Sequence, residues 1–158
     1  MLSFFKSPSF RDATLGEFAR SRGHWRGTVR LGDTVVPLVL AGGRSEPDPQ
    51  ALQLARTIAP GFPDWRSAIA DALFEHYQPY AEALAAGELP PPSTSFPRIG
   101  APDEVWPHVV LAFASVTPLD RALMIEFGFT TEWDEEHTLG ARFQQGRLLE
   151  LCGSILPP

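Results

Sequence analysis

A run of polar side chains between two predicted strands is the part of the sequence best suited to chemistry. It reads Glu-Trp-Asp-Glu-Glu-His and occupies residues 132–137. Four carboxylates beside an imidazole could hold a divalent cation or supply a general acid and base. Successive side chains on a strand point to opposite faces, so Asp134 and Glu136 could converge on one side.

The same run also has a purely structural interpretation. An acidic loop between antiparallel strands is commonly a solvated turn, in which Asp134 accepts turn amides and His137 packs beside Trp133. We keep both interpretations open and name Trp133, Asp134, Glu136 and His137 as the candidate binding residues.

The other reactive side chains fit no known catalytic or metal-binding pattern. Cys152 is the one cysteine, so neither an internal disulfide nor a cysteine metal site can form. His76 lacks the second histidine of a zinc-protease helix, and His24 and His108 are each interpreted as structural. The glycines match no nucleotide-binding loop. We therefore predict no catalytic residues, no metal and no cofactor.

Charge and hydropathy exclude two classes of partner. The chain has 13 basic and 19 acidic residues, a formal net charge of −6, and its arginines are scattered. A nucleic-acid binder needs a basic face to replace phosphate counterions, so nucleic acid is not expected as a partner. No apolar run is long enough for a membrane span, and residues 1–8 do not resemble a signal peptide. These features favour a cytoplasmic protein.

Three strands are predicted in the first quarter of the chain. Residues 14–20 alternate weakly. His24 to Leu31 alternate clearly, with Trp25 on the apolar side. Thr34 to Ala41 form a third strand in which Pro37, lacking an amide donor, indicates an edge or a bulge. The pattern predicts an antiparallel meander.

Two helices are predicted next. Asp48 followed by Pro49 is typical of a helix start, and Pro60-Gly61 is interpreted as the end of that helix. The second helix begins near Pro63, with an apolar stripe from Trp65 to Leu84. Pro79 is expected to kink or split it, and Gly87 to cap it. Trp25, Trp65 and Trp133 are all expected to be largely buried.

The last third of the chain again predicts strands. Five prolines between Leu89 and Pro102 indicate an extended crossover back to the sheet. Three or four strands are predicted, at residues 105–116, 122–131, 138–144 and 147–155, with Gln145-Gly146 as a hairpin turn. The order predicts a single α+β domain over residues 1–158, in which a mostly antiparallel sheet packs against two central helices.

The block Trp-Asp-Glu-Glu-His-Thr-Leu-Gly at residues 133–140 resembles a Trp-Asp-x-Glu-His-x-Leu-Gly pattern of uncharacterised bacterial domain families. The earlier Trp-Arg-Gly-Thr-Val and His-Tyr-Gln-Pro-Tyr stretches are similar to the front half of those families. Some related small acidic domains resemble immunity or accessory proteins of bacterial toxin systems. The resemblance implies a binding role and brings no catalytic residues with it.

Three functions follow as hypotheses. The first is a non-catalytic protein that binds another macromolecule, for which an immunity-type factor is one form. The second is a small metal-dependent or acid/base enzyme built on Asp134, Glu136 and His137. The third is a small-molecule binding module that uses aromatic residues such as Trp25, Trp133 and Tyr77. A protein partner is expected, and the sequence specifies no oligomeric state.

Overall fold

The structure is a computed structural model that describes residues 6–90 and 95–158. Within these residues, eight strands form one sheet in the order of the chain. Every neighbouring pair is antiparallel except β4 and β5, which run parallel. The strands are β1 Ser9–Asp12, β2 Gly16–Ser21, β3 His24–Leu31, β4 Thr34–Leu40, β5 Val109–Leu119, β6 Ala122–Thr131, β7 Thr138–Gln144 and β8 Arg147–Ile155.

Two α-helices connect β4 to β5, and they confirm the predicted α+β class. Helix α1 is Pro49–Ala55, α2 is Ile58–Ala85, and a 3₁₀ helix follows at Pro102–His108. Asp48 caps α1 by accepting from the amides of Gln50 and Ala51. Neither of the α-helices is both long and apolar enough to cross a membrane, nor is any other helix in the described part of the chain.

The predicted boundary between the two helices is wrong. Pro60 and Gly61 do not end α1; they lie in the first turn of α2, which begins at Ile58 after Thr57. The first four amides of a helix have no acceptor within it, so a proline there costs no hydrogen bond. Helix α2 also continues through Pro79 without a break, so the predicted split is wrong.

Two strand predictions are corrected as well. Residues Ser9–Asp12 form a strand that was not predicted, so the N-terminal meander has four strands. The strand predicted to begin at residue 105 begins at Val109, because Pro102–His108 forms the 3₁₀ helix. Pro37 was predicted to mark an edge or a bulge. It pairs with Thr28 of β3, and the pairing of β4 with β5 starts one residue later, at Leu38.

The core lies between the sheet and the two helices. Helix α2 contributes Ile58, Ile69 and Leu73, and the sheet contributes Trp25 and Phe127, all fully buried. The predicted burial of Trp25 and Trp133 is confirmed, at 0% and 5% exposed. Trp65 is only partly buried, with its ring centroid 5.1 Å from that of Phe143.

The opposite face of the sheet is also tightly packed. On β6, Gly128 leaves space for the ring of Phe113, since an added Cβ would lie 2.2 Å from Cε1 of that ring. Beside it, Arg142 donates from Nε to Glu126 at 2.6 Å and from Nη1 to Glu150 at 3.0 Å. The Arg142 contacts link β6, β7 and β8 on the side away from the helices.

Of the proline-rich crossover predicted between Leu89 and Pro102, residues 91–94 lie outside the described part. The rest connects α2 to the 3₁₀ helix, and it contacts α2 through Tyr77. The Tyr77 hydroxyl donates to the carbonyl of Pro97 at 2.8 Å and accepts from the amide of Ile99 at 3.2 Å. Both bonds are buried, so they place Phe96 against Tyr77, with ring centroids 5.7 Å apart.

Candidate functional site

The predicted candidate residues lie in the loop between β6 and β7, which we call loop 132–137. It is not part of either strand, so the expectation that strand alternation separates its side chains does not apply. Trp133 and Asp134 are neighbours in sequence and are both buried. The Thr131 hydroxyl accepts from the Asp134 amide at 3.2 Å and fixes the start of the loop.

Trp133 attaches the loop to helix α2. Its indole Nε1–H donates to Nδ1 of His76 at 3.0 Å. Its ring meets that of Tyr77 edge to face, with centroids 5.4 Å apart. Edge-to-face aromatic pairs are favoured by the ring quadrupoles. Packing and hydrogen bonding therefore both hold the loop against α2.

Asp134 is the centre of a buried polar network. Its carboxylate accepts from the Tyr80 hydroxyl at 3.0 Å and from Nδ1 of His137 at 2.9 Å. It also lies 4.0 Å from Nε2 of His76. The expectation that Asp134 accepts turn amides is therefore corrected: its carboxylate bonds to side chains of α2 and of its own loop. A buried carboxylate requires such donors to offset its lost hydration.

Burial and the network shift the pKa values of two α2 side chains. Burial raises the pKa of Tyr80, and its hydrogen bond to Asp134 raises it further. Burial lowers the pKa of His76, while the nearby Asp134 carboxylate opposes that shift. Both effects favour neutral side chains on the α2 side of the network.

Within residues 6–90 and 95–158, His137 has a hydrogen-bond partner at Nδ1 only. Nδ1 bonds to Asp134, and 43% of the His137 side chain is exposed. The carboxylate fixes the ring orientation, and Nε2 is the nitrogen left to face a ligand or solvent. Asp134 and His137 thus form a carboxylate–imidazole pair in which the carboxylate is buried and the imidazole is partly exposed.

A cavity of about 390 Å³ lies beside this pair. We call it the acidic–aromatic cleft, and it is lined by loop 132–137, Tyr80, Leu84, Leu89, Pro90 and Phe96. Glu132, Glu135 and Glu136 lie on its exposed rim, and Asp134 is buried. Neither lysine nor arginine is among these described lining residues. The cleft therefore joins negative charge to aromatic surface.

A second cavity of about 640 Å³ adjoins the cleft. The two share Phe96, Glu132 and Glu135, and the second also contacts Arg98 and His108. Nδ1 of His108 lies 2.7 Å from Oε2 of Glu132. The pair of cavities makes a groove that extends beyond the cleft.

The structure places Trp133, Asp134 and His137 in one network, while Glu136 lines the cleft from its exposed rim. Of the aromatic residues predicted for a small-molecule site, Trp133 and Tyr77 are in contact. Trp25 does not share this contact. Its indole donates to the carbonyl of Gly43 instead.

Sequence reasoning missed the contributions of α2 and the crossover. His76, Tyr80 and Phe96 all contribute to the site, although His76 was considered only as part of a zinc-protease helix, whose second histidine is missing. His76 and Tyr80 are four residues apart on α2, and their rings lie 5.4 Å apart. That spacing places them on one face of a helix and is the signal that could have identified them.

The described residues include no group of three or more His, Cys, Asp or Glu side chains placed to hold a metal ion. The carboxylates around the cleft can attract a positively charged group.

Comparison with known proteins gives a family and no function. Searches against curated proteins and solved structures gave no match. The family model of the domain of unknown function DUF6985 matches residues 14–154, from β2 through nearly all of β8. The expected membership of an uncharacterised domain family is confirmed. The chain belongs to the DUF6985 family.

Proposed function

We propose that this protein is a non-catalytic binding protein whose acidic–aromatic cleft receives an arginine-containing segment of another macromolecule. The observation that carries the proposal is the composition of the cleft. Negative charge from Asp134 and the rim glutamates lies next to the rings of Tyr80 and Phe96, without a lysine or arginine among the described lining residues.

An arginine side chain matches both properties of the cleft. Its guanidinium group binds carboxylates in a planar, bidentate way and stacks on aromatic faces. A cation–aromatic contact contributes about 0.5–2 kcal/mol, more when water is excluded. The formal net charge of −6 would also increase the rate of encounter with a basic partner.

The adjoining cavity favours a chain-like ligand over a small amine. The cleft of about 390 Å³ is large enough for one side chain, and the shared wall at Phe96 and Glu132 continues into the larger cavity. An extended peptide could place successive side chains in the two cavities. An immunity-type factor in the bacterial cytoplasm, acting on a basic protein surface, fits this description.

Peptide binding tests the proposal directly. Fluorescein-labelled peptides with two or three arginines in different spacings are titrated with the protein, and binding is followed by fluorescence anisotropy. Replacing each arginine by citrulline keeps the shape and removes the charge. We expect saturable binding of at least one arginine peptide and loss of binding for its citrulline form.

The rim supplies the variants. E132Q/E136Q should weaken binding about tenfold, or roughly 1.4 kcal/mol, because two exposed charge pairs each contribute up to about 1 kcal/mol. The matched control is D33N, which removes an exposed charge from the β3–β4 turn. Equal affinity for the citrulline peptides, or equal weakening by D33N, would contradict the proposal. Equally tight binding of free arginine would favour a small-molecule site instead.

A second candidate function is general-base catalysis by His137. The observation that favours it is the fixed Nδ1–Asp134 contact beside a cavity, which leaves Nε2 able to accept a proton. Hydrolysis of p-nitrophenyl acetate gives a test. H137Q should abolish any rate above background, while H108Q, which alters a half-buried histidine in the neighbouring cavity, should not. An identical rate in the H137Q variant would exclude this activity.

A further inference from the structure

The contact between loop 132–137 and α2 depends on the protonation of His76. An indole N–H can only donate a hydrogen bond, so Nδ1 of His76 must accept it. A neutral imidazole carries one proton, which must then be on Nε2. The observed contact is therefore compatible with neutral His76 and incompatible with a proton on Nδ1.

The groups around His76 define what a second proton would do. Loop 132–137 presents the Asp134 carboxylate, 4.0 Å from Nε2, and His137. Helix α2 itself presents Tyr80, whose ring centroid is 5.4 Å away. Strand β8 presents Gly153, where an added Cβ would lie 3.9 Å from Nε2. A positively charged His76 would face the Asp134 carboxylate. It could no longer accept the hydrogen bond that the Trp133 indole donates.

We propose that His76 is a proton-controlled latch for the acidic–aromatic cleft: a proton on Nδ1 removes the acceptor of the Trp133 indole and breaks that contact between loop 132–137 and α2. The protonated ring would turn toward the Asp134 carboxylate and compete there with Tyr80 and His137. Since Asp134 and Trp133 both line the cleft, the cleft changes shape when the latch opens. This inference adds regulation to the proposed function, and its effect on ligand binding rests on that function.

The direction with pH follows from the surroundings. Burial lowers the pKa of His76 below its ordinary 6.5, His137 lowers it further, and Asp134 opposes both. Because the neutral form is favoured in the folded state, the latch is closed at and above pH 6.5. It opens as pH falls through the lowered pKa of His76 in the folded protein.

Nuclear magnetic resonance of the indole N–H groups tests the latch without any ligand. The chain has four tryptophans, and the W133F variant assigns the Trp133 signal by its disappearance. Trp25 is the internal control, because its indole donates at 3.0 Å to the carbonyl of Gly43, which does not titrate. Between pH 7.5 and 5 we expect the Trp133 signal to shift and exchange faster with solvent, while the Trp25 signal stays in place.

The H76N variant identifies the titrating group. The amide oxygen of asparagine can occupy the position of Nδ1 and accept from the indole, but it does not titrate. We expect the Trp133 signal of H76N to lose most of its pH-dependent shift. An equal shift in H76N, or a Trp133 signal that moves no more than that of Trp25, would overturn the latch. If H76N does not fold, its four indole signals lose their separation from one another. The wild-type comparison of Trp133 with Trp25 then tests the latch by itself.

Binding measurements separate this inference from the proposed function. If arginine peptides bind at pH 7.5 and the wild type loses affinity at pH 5.5 more than H76N does, both stand. If the Trp133 signal titrates as expected but no arginine peptide binds, the latch stands and the proposed ligand is wrong. If peptides bind the wild type and H76N with the same pH dependence, the latch does not regulate the cleft.

Discussion

Replacing Asp12 with Asn should lower the free energy of unfolding by about 1–2 kcal/mol at pH 7. The Asp12 side chain is 4% exposed, accepts from the amides of Thr14 and Leu15 at 2.9 Å, and bonds to Arg56 at the end of α1. The hydrogen bond from Arg56 is the main cause that lowers the pKa of Asp12 from 3.8 to about 2, and burial opposes it. That difference corresponds to roughly 2.4 kcal/mol. Because 44% of the Arg56 side chain is exposed, water screens the pair and reduces the figure to about 1–2 kcal/mol.

The pH dependence has a definite sign. Asp12 is harder to protonate in the folded state, so its stabilising effect is complete above about pH 4 and is lost as pH falls from about 4 to 2. Urea unfolding of the wild type and D12N at pH 7, 5 and 3 measures the difference. Asparagine keeps an oxygen for the amides of Thr14 and Leu15, so the variant removes the charge and the bonds from Arg56 while leaving the turn acceptor in place. A difference within error at pH 7, or one unchanged between pH 5 and pH 3, would refute the reasoning. D33N, in an exposed turn, is the control.

Three further changes test the packing. Gly128→Ala should cost about 1–3 kcal/mol in urea unfolding, because the new methyl group overlaps the ring of Phe113; wild-type stability would mean that β6 and β5 are not packed this way. Trp65→Ala should lower the free energy of unfolding by about 2–4 kcal/mol. This is toward the lower end for a truncated aromatic, because the ring is only partly buried against Phe143. An unchanged unfolding midpoint would mean that Trp65 does not lie on the packed face of α2. Residues 1–88 expressed alone should aggregate or stay unfolded, because α2 then lacks β6 and β7 to pack on; cooperative melting of the fragment would show an independent domain.

The sequence predicted the features that short stretches of chain determine. Asp48 caps α1 through amides two and three residues away. Gly87 ends α2 with a positive φ of 73°, while Glu88 and Gly87 donate to Ala83 and Leu84. Gln145 and Gly146 both have positive φ and form the predicted two-residue turn. Each device is local, so its residues can be identified without knowing the fold.

The features that were missed depend on distant partners. Strand β1 carries little apolar pattern of its own, and its position is fixed by pairing with β2 and by the Asp12–Arg56 pair. The site residues share this property: 57 residues separate Trp133 from His76, and 54 separate Asp134 from Tyr80. Loop 132–137 could be identified from its composition, but the helix face that completes the site could not, because a single sequence does not give such long-range pairings.

The parallel contact between β4 and β5 has a consequence for the order in which the chain folds. Strands β1–β4 and β5–β8 are two series of hairpins, each formed between neighbours in sequence, whereas Leu38–Leu40 reach Ala114–Val116 across residues 41–108. Closing a flexible stretch of that length costs on the order of 4 kcal/mol of chain entropy. We therefore expect the two hairpin series to form early and the parallel contact to form late, once α2 has shortened the intervening chain. Mutations at Leu38 should speed unfolding far more than they slow folding, because the contact they weaken is not yet formed in the transition state.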